Sequence, residues 1–289
     1  MPYAQIDGRS IYYELHGHGE TVVFMHHGFG SSRMFKDVYP RFVEAGYRTV
    51  LFDRRGYGQS EPGSDFGTFF TSDGFCDESV EDFNVLAEML DLRSFHIVGQ
   101  CEGGVIGVMY AGRFPGRVSS LVIASTLCFS TRTMVEFNTS HFPAAYHELD
   151  PGIRDKMIQW HGSEWAEPFY EMARTRGGAY GIGTFDLRPR LPFVACPTLV
   201  LYPDRSALFE VEQAVHIYRN LPNAELAVIP RCGHNTYDQK PDEYVRHIMA
   251  FHKRAMADPR TAQMDFSMTC LAPVPSKRGS KDLKQLKTT

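Results

Sequence analysis

One cysteine stands among glycines in Phe95-His-Ile-Val-Gly-Gln-Cys-Glu-Gly-Gly-Val105, where an apolar run gives way to a helix-like one. Gly99 and Gly103 lie two positions either side of Cys101, and Gly104 follows. That spacing suits a tight strand-to-helix turn, in which larger neighbours would collide with a side chain raised at the apex. At the start of a helix the peptide dipoles favour an anion, so a thiol there is expected to ionise below its usual value near ~8.5. A buried structural cysteine would fit the same five residues, so the pattern gains weight only from what surrounds it. Metal chemistry is not expected: Cys232 and His234 are two apart, but no C-x-x-C or H-x-x-x-H pair accompanies them. Neither G-x-G-x-x-G nor G-x-x-x-x-G-K-[ST] occurs, so no nucleotide cofactor is expected.

The elements that must position this cysteine are legible as short apolar runs. Tyr3–Asp7 and Ser10–Leu15 flank a Gly8-Arg9 hairpin signal. Buried-strand patterns follow at Thr21–Met25, Arg48–Phe52, Phe95–Val98, Ser120–Ala124, Thr198–Tyr202 and Glu225–Ile229. Helical patterns lie between several of them, the clearest after Asp77, with Val80, Phe83, Ala87 and Leu90 on one face. Strands alternating with helices predict an α/β fold with a mostly parallel central sheet flanked by helices. The alternation stops over 127–190, which is too long for a simple connection and reads as an inserted helical cap. The core is then 1–126 with 191–255, and 256–289 reads as a flexible tail. Lys277, Arg278, Lys281, Lys284 and Lys287 against Asp282 give its last fourteen residues a net charge of +4.

Composition narrows the function classes. Hydrophobic residues at 43% and charged residues at 22% are ordinary for a globular chain. A net charge of −4 gives no basic character to suggest nucleic acid. No apolar run reaches the roughly 18 residues that span a bilayer, and the first residues are too polar for a secretory signal, so no membrane association is expected. Six cysteines without regular spacing point to a reducing cytoplasm rather than a disulfide framework.

Five motifs in order resemble the α/β-hydrolase fold superfamily. Gly99–Gly103 is similar to its nucleophile elbow, with cysteine where serine is usual. Met25-His-His-Gly-Phe-Gly30 resembles the His-Gly oxyanion motif, and Asp53-Arg-Arg-Gly-Tyr-Gly-Gln-Ser60 the D-x-R-G-x-G-x-S segment. Cys196–Tyr202 resembles the strand before the usual acid, and Gly233-His234 the site of the catalytic histidine. The resemblance covers roughly residues 10–255. It implies Cys101 as nucleophile, His234 as general base, and the backbone N–H groups of Phe29 and Glu102 as an oxyanion hole. The acid is where this chain departs. Pro203-Asp-Arg-Ser-Ala-Leu208 puts Ser206 at the family's acid position and Asp204 two positions early. Either Asp204 reaches His234 through a rearranged loop, or a Cys–His dyad works with Ser206 as a neutral partner. A thiol depends less on the acid than a hydroxyl does, because it starts far closer to ionisation.

The resemblance implies a hydrolase of an ester, lactone, thioester or activated C–C bond through an acyl-cysteine. Gly99–Gly104 also resembles the G-x-C-x-G-G box of polyhydroxyalkanoate synthases, which makes acyl transfer to an alcohol, amine or thiol the alternative. A non-catalytic ligand-binding member is the third reading. Trp160 and Trp165 suggest an apolar or aromatic acyl pocket in the cap, for a small-molecule substrate. Arg174 and Arg176 could meet a carboxylate or phosphate of a substrate, but solvated helix charges are the preferred reading.

Overall fold

The computed structural model describes residues 2–257; most of the expected tail, 258–289, lies outside the described residues. The chain opens with a hairpin of β1 (Tyr3–Ile6) and β2 (Arg9–His16). Its turn residues Asp7 and Gly8 have φ of 46° and 74°, the left-handed pair that a two-residue turn between twisted strands requires. There follow β3 (Thr21–Met25), α1 (Tyr39–Glu44), β4 (Arg48–Phe52), α2 (Phe66–Phe70) and α3 (Phe75–Met89). Next come β5 (Phe95–Gln100), α4 (Glu102–Arg113) and β6 (Val118–Ala124). Residues 127–190 hold β7 (Phe129–Thr133), α5 (Met134–His141), α6 (Pro151–His161), α7 (Ala166–Arg176) and β8 (Thr184–Asp186). Alternation resumes with β9 (Thr198–Pro203), α8 (Glu212–Asn220), β10 (Ala224–Ile229), α9 (Thr236–Gln239) and α10 (Pro241–Ala257).

Each of the eight expected strands is present, and they form one sheet in the order β1-β2-β4-β3-β5-β6-β9-β10. The pairings are antiparallel up to β2–β4 and parallel beyond it. Every residue of β3, β5 and β9 is buried, as strands covered on both faces must be. Between β3 and β5 the strand order reverses, and loops leaving a sheet at such a point diverge and open a crevice at its carboxyl end. The His26–Gly30 loop follows β3 and the Cys101 turn follows β5, so topology alone brings the two motifs together.

Residues 127–190, expected to form a helical cap, carry a strand pair beside their helices: Phe129–Thr133 and Thr184–Asp186 pair as a small antiparallel ribbon. These strands are short, polar and far apart in sequence, so neither carries a pattern of its own. α5 begins with a capping box: the Thr133 hydroxyl accepts from the Glu136 N–H while the Glu136 carboxylate accepts from that of Thr133.

Several histidines are held neutral by the fold. Burial pushes His26, His27, His96 and His252 below the ordinary 6.5, and His161 and His234 to about 4. His252 stacks on His96 at 4.4 Å, and neither of its ring nitrogens has a hydrogen-bond partner among the described residues. Below 6.5 the unfolded chain binds protons at these rings that the folded chain refuses. Their contribution is complete above that value and is lost as pH falls, at up to about 1.4 kcal/mol per pH unit per ring. Burial raises Asp53 and Asp82 to about 6, which works in the opposite sense but for fewer groups. We therefore expect the melting temperature to fall steeply once the pH drops below about 6.5, and His252→Phe to flatten that slope. Melts recorded by circular dichroism decide it; a melting temperature that holds or rises on acidification would contradict this account.

Candidate active site

Cys101 sits between β5 and α4 with φ 53° and ψ −114°, a left-handed conformation that a non-glycine residue adopts only when its surroundings enforce it. They do so here. Its N–H donates to Ala124 O at 2.7 Å, and its own carbonyl accepts from Gly104 N and from Thr126 Oγ1, each at 2.9 Å. A Cβ at Gly99 would stand 2.5 Å from Gly103 O, and one at Gly103 would stand 2.1 Å from Met25 O. The two glycines thus let the turn close against itself and against the end of β3.

The expectation of a readily ionised thiol is not met. Burial pushes the Cys101 thiol up to about 12, and the nearby Glu102 carboxylate adds to the rise. The Tyr180 hydroxyl, 3.3 Å from Sγ, and the Glu102 backbone N–H work the other way without prevailing. A helix terminus offers roughly half a charge, which loses to removal of the sulfur from water.

His234 follows β10 and lines the same cavity as Cys101. Its Nδ1 lies 3.2 Å from Ser206 Oγ. Ser206 Oγ also accepts from the backbone N–H groups of Leu208 at 3.2 Å and Phe209 at 3.1 Å. Those two donors fill both acceptor sites of the hydroxyl, so its own proton points to Nδ1 and the neutral ring carries its proton on Nε2. Asp204 is elsewhere. Its Oδ1 accepts from Cys232 N at 3.0 Å and its Oδ2 lies 3.7 Å from Arg205 Nε, so it braces the loop ahead of His234. The backbone N–H groups of Cys232 and Arg231 hold its carboxyl below the usual range.

The loop after β3 is wired by neutral histidines. His26 Nε2 accepts from Arg54 N at 3.1 Å, which leaves Nδ1–H to donate to His27 O at 2.9 Å. His27 Nδ1 accepts from Phe29 N at 3.1 Å, and Nε2–H then faces Tyr237 Oη at 3.1 Å. His161 of α6 accepts from Gly58 N at Nδ1 and donates from Nε2 to Phe29 O at 2.9 Å. The Phe29 N–H expected at an oxyanion hole is therefore occupied by the His27 ring. The Asp53–Ser60 segment is structural: the Asp53 carboxylate accepts from Ser32 N and Gln59 N, and Ser60 Oγ donates to Asp53 O.

Behind the elbow lies a polar cluster that none of the motifs foretold. Glu102 Oε1 accepts from Arg54 Nη2 at 2.5 Å and Tyr57 Oη at 2.8 Å, and Oε2 accepts from Ala179 N at 3.1 Å. Both charged side chains are 3% exposed, which makes this a fully desolvated ion pair beside the sulfur.

Cys101 and His234 open on a cavity of about 230 Å³. Its wall is mostly apolar, with Met134, Phe137, Phe142, Leu149, Met157, Trp160, Tyr170 and Phe209. Trp160 lies where the sequence suggested. Trp165 does not line the cavity; its indole N–H donates to Gly56 O at 2.9 Å and its ring lies 6.3 Å from that of Phe66. Arg174 binds Phe142 O and Thr139 O, and the Arg176 side chain lies outside the described residues. Among the described residues no group of three or more metal-ligating side chains occurs, and no helix is long and apolar enough to cross a membrane.

Residues 21–180 match the family profile described as alpha/beta hydrolase fold. A non-heme chloroperoxidase of Kitasatospora aureofaciens is 37% identical over 258 residues, covering 79% of this chain and 90% of its own. A proline iminopeptidase of Lactobacillus helveticus is 24% identical over 283 residues, covering 85% of this chain and 94% of its own. Among solved structures, an enol-lactonase from Burkholderia xenovorans superposes with a TM-score of 0.69 at 18% identity, covering 87% of this chain and all of that one. The elbow, the histidine and the sheet order thus have a common explanation: the chain belongs to the alpha/beta hydrolase fold family and is an enzyme of the hydrolase type.

Proposed function

We propose that the enzyme cleaves an ester, lactone, thioester or activated C–C bond through an acyl-cysteine, with Cys101 as nucleophile and His234 as general base. The observation that carries the reading is the strained Cys101 turn opening, together with His234, on an apolar cavity. The His234 proton first moves to Nδ1, with the Ser206 hydroxyl turning from donor to acceptor; Sγ then attacks the acyl carbon, its proton passes to the freed Nε2, and the new oxyanion faces the Glu102 N–H. The Phe29 N–H joins it by leaving the His27 ring. His234 then protonates the leaving group, accepts a proton from water, and the resulting hydroxide releases the acid and regenerates the thiol. The cavity wall suits an uncharged acyl group, for Lys156 is paired with Asp238 at 2.8 Å and Glu102 with Arg54. Cys76, Cys101, Cys128, Cys196 and Cys232 are free thiols, which suits a reducing cytoplasm.

The resting tautomer has Nε2 protonated, so the Ser206 hydroxyl must give up one of its backbone donors before Nε2 can accept the thiol proton. Leaving such a donor unpaired costs about 1–3 kcal/mol, a slowing of roughly ten- to a hundredfold. Deacylation makes a demand of its own, because His234 must activate water with no carboxylate behind it, and a thioester that lives longer for that reason makes acyl transfer the second reading.

Intact-mass analysis after mixing with aryl esters and acyl thioesters is the direct test. We expect an adduct on Cys101, absent in Cys101→Ser, that decays to free acid. An adduct discharged only by an added alcohol, amine or thiol would select the transferase, and no adduct in any case would leave a binding protein.

The partner of His234 gives a second prediction. Asp204→Asn should cost severalfold at most, well short of the roughly 10⁴-fold loss when a serine triad loses its acid. Ser206→Asp should speed acylation and deacylation by about tenfold or more, because the two N–H groups aimed at this position would hold the carboxylate and Nδ1–H would donate to it. It should also restore part of the activity lost in Cys101→Ser. Loss of all activity in a folded Asp204→Asn protein would overturn the dyad.

A further inference from the structure

The hydroxyl of Tyr180 stands 3.3 Å from Cys101 Sγ. It comes from the short turn Gly178–Tyr180 after α7, outside every motif that identified the site. Its placement is fixed from several sides. Ala179 N donates to Glu102 Oε2 at 3.1 Å, and Ala179 O accepts from the Cys76 thiol at 3.2 Å, so the peptide before Tyr180 is held at both ends. A Cβ at Gly178 would stand 2.4 Å from Glu102 Oε2, which requires glycine where the turn crosses the carboxylate. The tyrosine ring meets Phe185 edge-on at 4.8 Å and lies 6.1 Å from Phe209, which in turn packs 5.2 Å from His234.

We propose that Tyr180 is a further catalytic residue, whose phenol O–H hydrogen-bonds the Cys101 sulfur and stabilises the thiolate as the thiol proton leaves for His234. The inference rests on the reading of Cys101 as nucleophile. Its chemistry is simple: the S–H bond breaks, the proton goes to Nε2, the electron pair forms the S–C bond, and the Tyr180 O–H bond stays intact. A thioester sulfur is a poor acceptor, so the hydrogen bond weakens on acylation and returns when the thiolate is expelled. It therefore lowers the barrier in both directions. Burial keeps the phenol well above its ordinary range, so it remains protonated and able to donate to the sulfur. The need is evident from the surroundings, where both burial and the Glu102 charge oppose a thiolate.

Tyr180→Phe keeps the ring and removes one oxygen. The second-order rate of Cys101 alkylation by a small haloacetamide, located by peptide mapping, is measured across neutral and alkaline pH, with aryl-ester acylation measured in parallel. We expect both rates to fall by about tenfold or more at each pH, as the loss of a hydrogen bond to a charged group implies. Alkylation that is unchanged or faster in a folded variant overturns the proposal. Should the variant misfold, difluorotyrosine at position 180 keeps the shape and strengthens the donor, and faster alkylation is then required. Slower alkylation in Tyr180→Phe without any acyl adduct in the native enzyme would sink the acyl-cysteine reading and leave the hydrogen bond standing. Normal adduct formation in both proteins would do the reverse.

Discussion

The buried carboxylate of Glu102 is the contact on which the arrangement around the sulfur depends. It belongs to the first residue of α4, yet it binds Arg54 and Tyr57 from the loop after β4 and the Ala179 N–H from the turn after α7. Side chains at Gly28 and Gly178 would stand 3.0 and 2.4 Å from its Oε2, so the β3 loop and that turn both close down on it. Taking two charges out of water is costly, and a well-packed apolar pair of the same volume is often as stable or more so. The ion pair is therefore better understood as a means of fixing geometry. Removing one member would strand the other in a desolvated pocket, at about 3–5 kcal/mol, and would release three separate segments from the turn that carries Cys101.

That burial has a chemical consequence for the thiol. A site that excludes water raises the Cys101 thiol and lowers the His234 imidazole, so both are neutral at physiological pH. On the proposed mechanism the nucleophile is thus produced during the reaction rather than stored as an ion pair. Groups that act only once charge develops, such as N–H and O–H donors already in place, then contribute most, because they pay no reorganisation at that moment. The same dryness keeps His26, His27 and His161 neutral, each with one ring nitrogen accepting from a backbone N–H and the other free to donate.

Much of this was legible in the sequence for identifiable reasons. All eight strands of the main sheet came from short apolar runs; in β3, β5 and β9 the cause is cover on both faces, whereas β10, expected as a buried strand, is an edge strand with Leu226 and Val228 exposed. Cys101 and His234 share one cavity because glycine spacing and strand order are local signals of a shared topology. What escaped has no local signature. The Arg54–Glu102 pair joins residues 48 positions apart, and Tyr180 meets Cys101 across 79. Nothing in the run Gly177-Gly178 says that a carboxylate lies against it. The two tryptophans looked equivalent by composition, yet only Trp160 faces the cavity, because Trp165 found a carbonyl for its N–H at Gly56.

The environment of residue 206 shows how a polar pattern can outlast the charge that it suits. Two adjacent backbone N–H groups converge on one side-chain oxygen, an arrangement that favours an anion. A serine there is neutral and satisfies them by turning its single proton toward His234. That choice propagates: with Nδ1 accepting, the ring must carry its proton on the nitrogen that a general base needs free. A carboxylate in the same place would take the two N–H groups and the Nδ1 proton together. Substituting serine therefore changes the histidine tautomer as well as removing a charge. A thiol gives up its proton to the imidazole more readily than a hydroxyl does and tolerates this better, which couples the residue at 101 to the residue at 206 through one imidazole.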